Sequence, residues 1–406
     1  MKLSDLKNKK ILILGFAREG KDTLLFLRKK FPGKKFGIAD QKLSKDYLKK
    51  IGEYDVIIKS PGIPQKTIAP FLKRGQIITS QTDIFLENCE GMVIGVTGTK
   101  GKSTTSSLIY EVLRKGGVRA HLIGNIGKPV LAFLERQNPK DVFVYELSSF
   151  QLENLTESPH IAVLLNLYSE HLDHHGNLKK YIASKENIAK YQKETDFLVY
   201  NAKDPLVLKI AKLSKAQKLP YAFRPSLHPW IASAEPARII GKLFGINEKT
   251  IEQAIRTFKP LPHRLEPAGK YKGITFYNDS LATIPEAAIA ALNALGQKVS
   301  TLIAGGFDRG VNPAKLAKRI EKSNIKTLIL FPDTGKKIIR SMKKRPLYFF
   351  AKDMKEAVKL CYKHTKKGTI CLLSPAASSF NMFKDYRDRG EQFKKFVKLY
   401  GKDKKA

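Results

Sequence analysis

The stretch Gly95-Val-Thr-Gly-Thr-Lys-Gly-Lys-Ser-Thr104 follows an apolar run, Met92 to Ile94, and opens a helix-like segment, Ser103 to Arg114. A strand, a glycine turn and a helix in that order commit the chain here to an α/β unit, with the turn at the carboxyl end of a sheet. Such a turn binds phosphate. Glycines at 95, 98 and 101 let the backbone bend sharply and present its N–H groups, the helix start favours anions, and Lys102 adds a point charge. Ser103 is then placed to hold Mg²⁺. The spacing departs from G-x-x-x-x-G-K-[ST], because Val96 stands where that pattern has its first glycine. An ordinary glycine-rich turn is the plainer alternative, and the coincidence of strand, Lys-Ser pair and helix speaks against it.

The same alternation extends to both sides. Short apolar runs at Ile11–Leu14, Phe36–Ala39, Val56–Ile58 and Ile77–Ile78, separated by helical stretches, predict a parallel sheet within residues 1–90. Its strand ends carry Gly15-Phe-Ala-Arg-Glu-Gly20, Asp40 and Ser60-Pro-Gly-Ile63, where an open α/β sheet binds a nucleotide. Ala17 occupies the middle glycine of G-x-G-x-x-G, so a dinucleotide oxidoreductase stays open without being favoured.

Within residues 91–265, Val142-Phe-Val-Tyr145 runs into Glu146-Leu-Ser-Ser-Phe-Gln-Leu-Glu153, which places a carboxylate suited to Mg²⁺ where a strand stops. A strand-terminal surface glutamate is the bland alternative. The run Ile161–Leu165 gives way to Asn166-Leu-Tyr-Ser-Glu-His-Leu-Asp-His-His175, with histidines at 171, 174 and 175. No cysteine or second ligand pair accompanies them, so the sequence assigns no zinc site. Lys185 lies in a helical run from Lys179 to Tyr191 and reads from composition as a solvated charge. Pro260, Pro262 and a change of pattern after Glu266 mark a boundary. Beyond it, Ile274–Tyr277, Ser300–Ile303, Thr327–Leu330, Leu347–Phe350 and Thr369–Leu373 predict another open α/β sheet. Its strand ends, Asn278-Asp-Ser-Leu-Ala-Thr283, Gly305-Gly-Phe-Asp-Arg-Gly310 and Ser374-Pro-Ala-Ala-Ser-Ser-Phe380, look like the walls of one site. The expected architecture is α/β in three domains: 1–90, 91–265 and 266–406.

Composition narrows the functional classes. A hydrophobic share of 42% over 406 residues supports cores of this size, and Ile11–Leu14 is too short for a signal peptide or a membrane span. Cys89, Cys361 and Cys371 lack metal-ligand spacing and fit a reducing, cytoplasmic setting. The net charge of +37 would suit nucleic-acid binding. The lysines, however, are spread along the whole chain, and no stacking-aromatic signature accompanies them, so nucleic acid is not expected as a partner. A lysine-rich proteome, or steering of anionic substrates, accounts for the charge instead.

Five segments together, Gly98-Thr-Lys-Gly-Lys-Ser103, Glu146-Leu-Ser-Ser-Phe-Gln151, Pro262-His-Arg264, Asn278-Asp-Ser280 and Ser374-Pro-Ala376, resemble the Mur ligase family, and the match spans nearly the whole chain. The first domain and the ending Ser378-Ser-Phe-Asn-Met-Phe-Lys-Asp-Tyr-Arg-Asp-Arg-Gly390 are most similar to the branch that adds D-glutamate to UDP-N-acetylmuramoyl-L-alanine. The Asp-Asn-Pro-Arg segment usual in the diaminopimelate-adding branch is absent, and folylpolyglutamate synthase, a relative, lacks the first domain.

The resemblance implies a Rossmann-like UDP-binding domain, a central P-loop-type ATPase domain and a C-terminal Rossmann-like domain for the amino acid. It implies ATP-dependent activation of a carboxylate as an acyl phosphate, in cytoplasmic peptidoglycan precursor synthesis, by a monomer acting on small molecules. By position, Gly98, Thr99, Lys100, Gly101, Lys102, Ser103 and Thr104 hold ATP phosphates, and Arg264 and Asp279 contact the nucleotide. Ser103 and Glu146 share one Mg²⁺; His171 and a carbamylated Lys185 serve a second. Arg18, Glu19, Asp40, Gln41, Gly62 and Asn125 face the UDP substrate, and Thr283, Arg309, Ser379 and Tyr386 the incoming glutamate. Two departures stand out. Pro229-Trp-Ile-Ala-Ser-Ala234 replaces the usual adenine-reading segment, and Leu281 stands where the family has lysine, as in some relatives that add L-glutamate.

Overall fold

The computed structural model describes residues 1–125, 130–168, 172–222, 234–259, 261–380 and 382–402, with backbone alone at Leu172 and Asp173. These fall into two compact units, one ending at Phe258 and the other beginning at Lys259.

The first unit contains two sheets. Strands β1 (Ile11–Leu14), β2 (Gly37–Ala39), β3 (Val56–Lys59) and β4 (Ile77–Thr79) form a parallel sheet in the order β2-β1-β3-β4. Strands β5 (Met92–Thr97), β6 (Ala120–Gly124), β7 (Val142–Glu146), β8 (Ile161–Leu164), β9 (Phe197–Asn201) and β10 (Gln217–Tyr221) form a second, in the order β10-β9-β8-β5-β7-β6 and again all parallel. The central strands are buried along their whole length, which is why they read as unbroken apolar runs rather than as alternations. One apolar core joins both sheets. Phe85 packs edge-on against Phe143 and Tyr145, and the Tyr145 hydroxyl lies 3.0 Å from Thr82 Oγ1.

The second unit is built on β11 (Glu266–Tyr271), β12 (Ile274–Asn278), β13 (Val299–Gly306), β14 (Thr327–Asp333), β15 (Leu347–Phe350) and β16 (Ile370–Leu373), in the order β11-β12-β16-β13-β14-β15. All pairs are parallel except β11 with β12, which is antiparallel and carries a bulge between Pro267 and Gly269. Apolar clusters cover both faces of this sheet.

Four strands, β6, β9, β10 and β11, have no counterpart among the apolar runs picked out by sequence. β10 and β11 are sheet edges, largely exposed or half-buried, and Pro220 sits in β10, where an edge strand can spare a donor. β6 is also an edge and only half-buried. Among the described residues no helix is long and apolar enough to cross a membrane.

Candidate active site

The loop after β5 is shaped by its glycines. Gly101 takes φ +89° as the N-cap of the helix Lys102–Lys115, a left-handed conformation that side chains rarely adopt. A Cβ on Gly98 would lie 2.8 Å from Leu165 Cβ, so that position must be glycine for the loop to pass β8. Asn166, directly beyond β8, clamps the loop. Its carbonyl accepts from Thr99 N at 2.7 Å, its Oδ1 accepts from Lys100 N at 2.9 Å, and its Nδ2 donates to the Lys100 carbonyl at 3.0 Å. Sequence placed Asn166 at a strand end without giving it a role. Lys102 Nζ reaches back to the carbonyls of Gly98 and Thr99 at 2.9 and 3.1 Å, so its charge sits over the loop.

Lys185 departs from the composition-based expectation of a solvated charge. It is buried at 1% exposure, and Nζ donates to Thr97 Oγ1 at 3.0 Å and to the Gly98 carbonyl at 3.1 Å. The helix Leu178–Lys190 delivers it, capped by Asn177 and anchored by Tyr181, whose hydroxyl meets Thr99 Oγ1 at 2.9 Å. Glu146 ends β7 in register with Val96 of β5 and Gly124 of β6. It is buried, not a surface residue, and Oε2 has no hydrogen-bond partner among the described residues. Ser103 is buried on the first turn of its helix. A buried carboxylate oxygen without a donor is costly unless a cation meets it, so Glu146 and the Ser103 hydroxyl fit a hard divalent ion such as Mg²⁺. His171 lies outside the described residues, as does most of Pro229–Ala234.

On the first sheet, the three predicted loops come together. The Asp40 carboxylate accepts from the backbone of Phe16 at 2.6 Å and of Lys42 at 2.8 Å, and these two bonds hold its pKa below the usual carboxylate range. Ser60 Oγ donates to the Gly15 carbonyl at 2.9 Å. Arg18, Gln41 and Gly62 are exposed around this edge. Glu19 turns elsewhere: it accepts from Gln151 Nε2 at 3.2 Å, and burial pushes its pKa up. Asn125 is exposed beyond β6, and its N–H points to the Glu146 carbonyl at 3.4 Å.

In the second unit the loops after β12 and β16 are pinned by Arg389, which sequence reasoning missed because it reads as one charge among many. It is fully buried. Nε and Nη2 donate to Ser280 Oγ and the Ser280 carbonyl at 3.0 and 2.8 Å, and Nη1 donates to the Ala377 carbonyl at 3.1 Å. These acceptors are neutral, and burial lowers the guanidinium pKa to about 10. Gly306 lies against the same cation. Asp279 accepts from Ser374 Oγ at 2.7 Å and Leu265 N at 3.2 Å, yet burial outweighs these bonds and the Arg264 charge and raises its pKa to about 7. Arg309 is exposed, with its guanidinium 5.3 Å from the Phe380 ring centre. Ser379 is buried beside that ring, Tyr386 is half-buried with its carbonyl bonded to Ser280 Oγ at 2.8 Å, and Thr283 is exposed.

Comparison with known proteins agrees with these loops. Residues 96–251 match the Mur ligase middle domain, and residues 263–377 match the Mur ligase glutamate ligase domain. The UDP-N-acetylmuramoylalanine–D-glutamate ligase of Streptococcus agalactiae is 32% identical, covering 96% of this chain and 97% of its own length. The chain belongs to the Mur ligase family. The enzyme of the same name from Aquifex aeolicus is 33% identical to this ligase, over 96% of this chain and 99% of its own. The ligase also shares its fold with solved structures of the family. UDP-N-acetylmuramate-alanine ligase MurC of Thermotoga maritima matches with TM-score 0.60 at 18% identity over 97% of this chain and 99% of its own. MurF ligase of the same organism, in complex with ADP, matches with TM-score 0.61 at 16% identity over 98% of each chain. Like other Mur ligases, it is an ATP-dependent amide-bond ligase of three α/β domains.

Proposed function

We propose that this ligase joins D-glutamate to UDP-N-acetylmuramoyl-L-alanine in the cytoplasm, as a monomer, on the pathway to peptidoglycan. The relatives that carry this activity in their name align over nearly the full chain. The observation that carries the chemistry is the crowding of Lys102, Lys185 and Asn166 on one phosphate loop, with the donorless Glu146 oxygen on the neighbouring strand.

A carboxylate resists attack by an amine because its oxygen is a poor leaving group. Transfer of the ATP γ-phosphoryl group to that oxygen gives an acyl phosphate and ADP; the glutamate nitrogen then bonds the carbonyl carbon, and phosphate leaves with the C–O electron pair. The loop amides and Lys102 hold the phosphates in line and offset their charge, which is most of what a protein supplies to such a transfer. Ser103 and Glu146 would hold Mg²⁺, whose positive charge further offsets that of the phosphates. Lys185 would serve a second ion as a carbamate: its neutral nitrogen bonds the carbon of CO₂, a proton leaves to solvent, and an anionic oxygen ligand replaces an ammonium that would repel a cation. Arg264 and Asp279 face the nucleotide; Arg18, Asp40, Gln41, Gly62 and Asn125 serve the UDP end; Thr283, Arg309, Ser379 and Tyr386 serve glutamate.

Leu281 in place of lysine favours a second reading, the same reaction with L-glutamate. Phosphate release with ATP, UDP-N-acetylmuramoyl-L-alanine and each glutamate enantiomer decides between them, with Lys102→Ala as the control. Turnover with D-glutamate that vanishes in Lys102→Ala is expected. Turnover with neither enantiomer, or an undiminished rate in the variant, would overturn the reading.

A further inference from the structure

Glu153 closes the short helix Ser149–Leu152, and His174 and His175 end the one-turn helix Leu172–His175, so twenty-odd residues of chain separate groups that the fold brings face to face. Glu153 Oε2 lies 3.7 Å from His174 Nε2, and Oε1 lies 4.0 Å from His175 Nδ1. One donor atom from each of the three residues lies within 4.8 Å of the other two. The sequence held the two histidines without a partner for them, and the fold supplies the carboxylate.

We infer that Glu153, His174 and His175 bind a divalent transition-metal ion of the zinc, cobalt and nickel class, through residues other than those assigned to Mg²⁺. Two imidazoles and one carboxylate suit such ions, whereas Mg²⁺ prefers oxygen alone in an octahedron. Metal–nitrogen bonds of about 2.0–2.1 Å put neighbouring ligands of a tetrahedral ion roughly 3.3 Å apart. The observed separations, 3.7 and 4.0 Å from the carboxylate and up to 4.8 Å over the set, are wider, so the side chains, Glu153 being half-buried, close in by as much as about 1.5 Å on binding.

The surroundings are arranged as a metal site requires. His175 Nε2 is 3.0 Å from Ser149 Oγ. With that oxygen accepting, Nε2 carries the proton and Nδ1 turns its lone pair toward Glu153, the usual way in which a ligating histidine is oriented by its second nitrogen. The Phe150 ring packs on both imidazoles, with centres 4.3 and 5.5 Å away, and limits their rotation. A cavity of about 590 Å³, lined also by Lys66, Lys180 and Asn187, opens on the three donors, so a water can take the fourth position. Lys59 Nζ holds Glu153 Oε2 at 3.2 Å and the Ile63 carbonyl at 2.7 Å. A carboxylate has lone pairs for both a lysine and a metal, and the nearby ammonium tempers affinity without closing the site. Occupancy would also bear on the phosphate loop, because Tyr181 packs edge-on against His175 and bonds Thr99.

The full-length enzyme, titrated with CoCl₂ in excess MgCl₂, tests this. One equivalent of Co²⁺ should give the intense visible absorption of a four-coordinate nitrogen and oxygen site; Co²⁺ in an octahedral, oxygen-only Mg²⁺ site absorbs weakly. Glu153→Gln and His174→Asn, each checked for folding by far-ultraviolet circular dichroism, should weaken that binding by roughly tenfold or more. Anomalous diffraction from zinc-soaked wild-type crystals gives the position without any variant, and a peak between Glu153 and His175 is expected. No intense band in the wild type, a band untouched in folded variants, or zinc found only at Glu146 and Ser103 would each overturn the inference.

Discussion

Asp279 shows how one residue's environment sets its chemistry. Burial raises its pKa from the ordinary 3.8 to about 7, with the Ser374 and Leu265 bonds and the Arg264 charge pulling the other way. A raised acid pKa means that the folded state binds the proton more tightly than the unfolded chain. The associated stability is present below about pH 4 and is lost as pH rises toward 7, by at most about 4 kcal/mol at ~1.4 kcal/mol per tenfold shift. Asp279→Asn should flatten that slope, as read by urea unfolding across this range, and identical slopes would refute the assignment. Arg309 makes a different kind of claim. Glutamate brings two carboxylates, and Leu281 supplies no cation, so Arg309 should grip one of them in a bidentate fork that lysine cannot copy. Arg309→Lys is expected to raise KM for glutamate about tenfold, the ~1.4 kcal/mol scale of one charge-assisted bond, with little change for ATP. Unchanged glutamate constants would remove Arg309 from the site.

At the scale of the element, what matters is which strand or helix end brings a group to the phosphate loop. β5 ends in the loop, β7 ends in Glu146, β8 ends beside Asn166, and the helix Leu178–Lys190 reaches across to place Lys185 on Thr97 and Gly98. The strand ends were legible because parallel strands buried on both faces are apolar runs and their polar successors mark the loops. Lys185 was not, since a lysine within a helix has the same local pattern whether it faces water or a neighbouring strand. Its helix makes a specific prediction. Lys185→Ala should abolish ligation and be partly restored by acetate, while wild-type enzyme in isotopically labelled bicarbonate shows a carbamate carbon resonance that the variant lacks. Absence of both the rescue and the resonance would rule the carbamate out.

On the scale of the whole molecule, the first two sheets share one core, with Phe85, on the helix Gln81–Asn88 that follows β4, fully buried and packed on Phe143 and Tyr145 of the second sheet. They should therefore unfold together. Phe85→Ala is expected to cost about 3 kcal/mol or more and to speed amide exchange in β1–β4 and β5–β10 alike, leaving β12–β16 protected. Faster exchange confined to β1–β4 would show that the shared core does not couple the sheets. The charge of +37 belongs to this scale as well. It is spread over the chain, while Lys59, Lys185 and Arg389 are buried cations held by specific structural partners.

The sequence by itself determined the alternation of strand and helix, the phosphate loop, the loops at the strand ends and the family, because each of these is written in local periodicity or in contiguous residues. Only the tertiary structure decided that Glu146 and Lys185 are buried, that Asn166 clamps the loop, that Arg389 pins two loops of the second unit, and that Glu153 faces His174 and His175. Burial and contacts between distant segments depend on how sheets and helices pack. A charged side chain carries no mark in its own neighbourhood of whether it will meet water or another part of the chain.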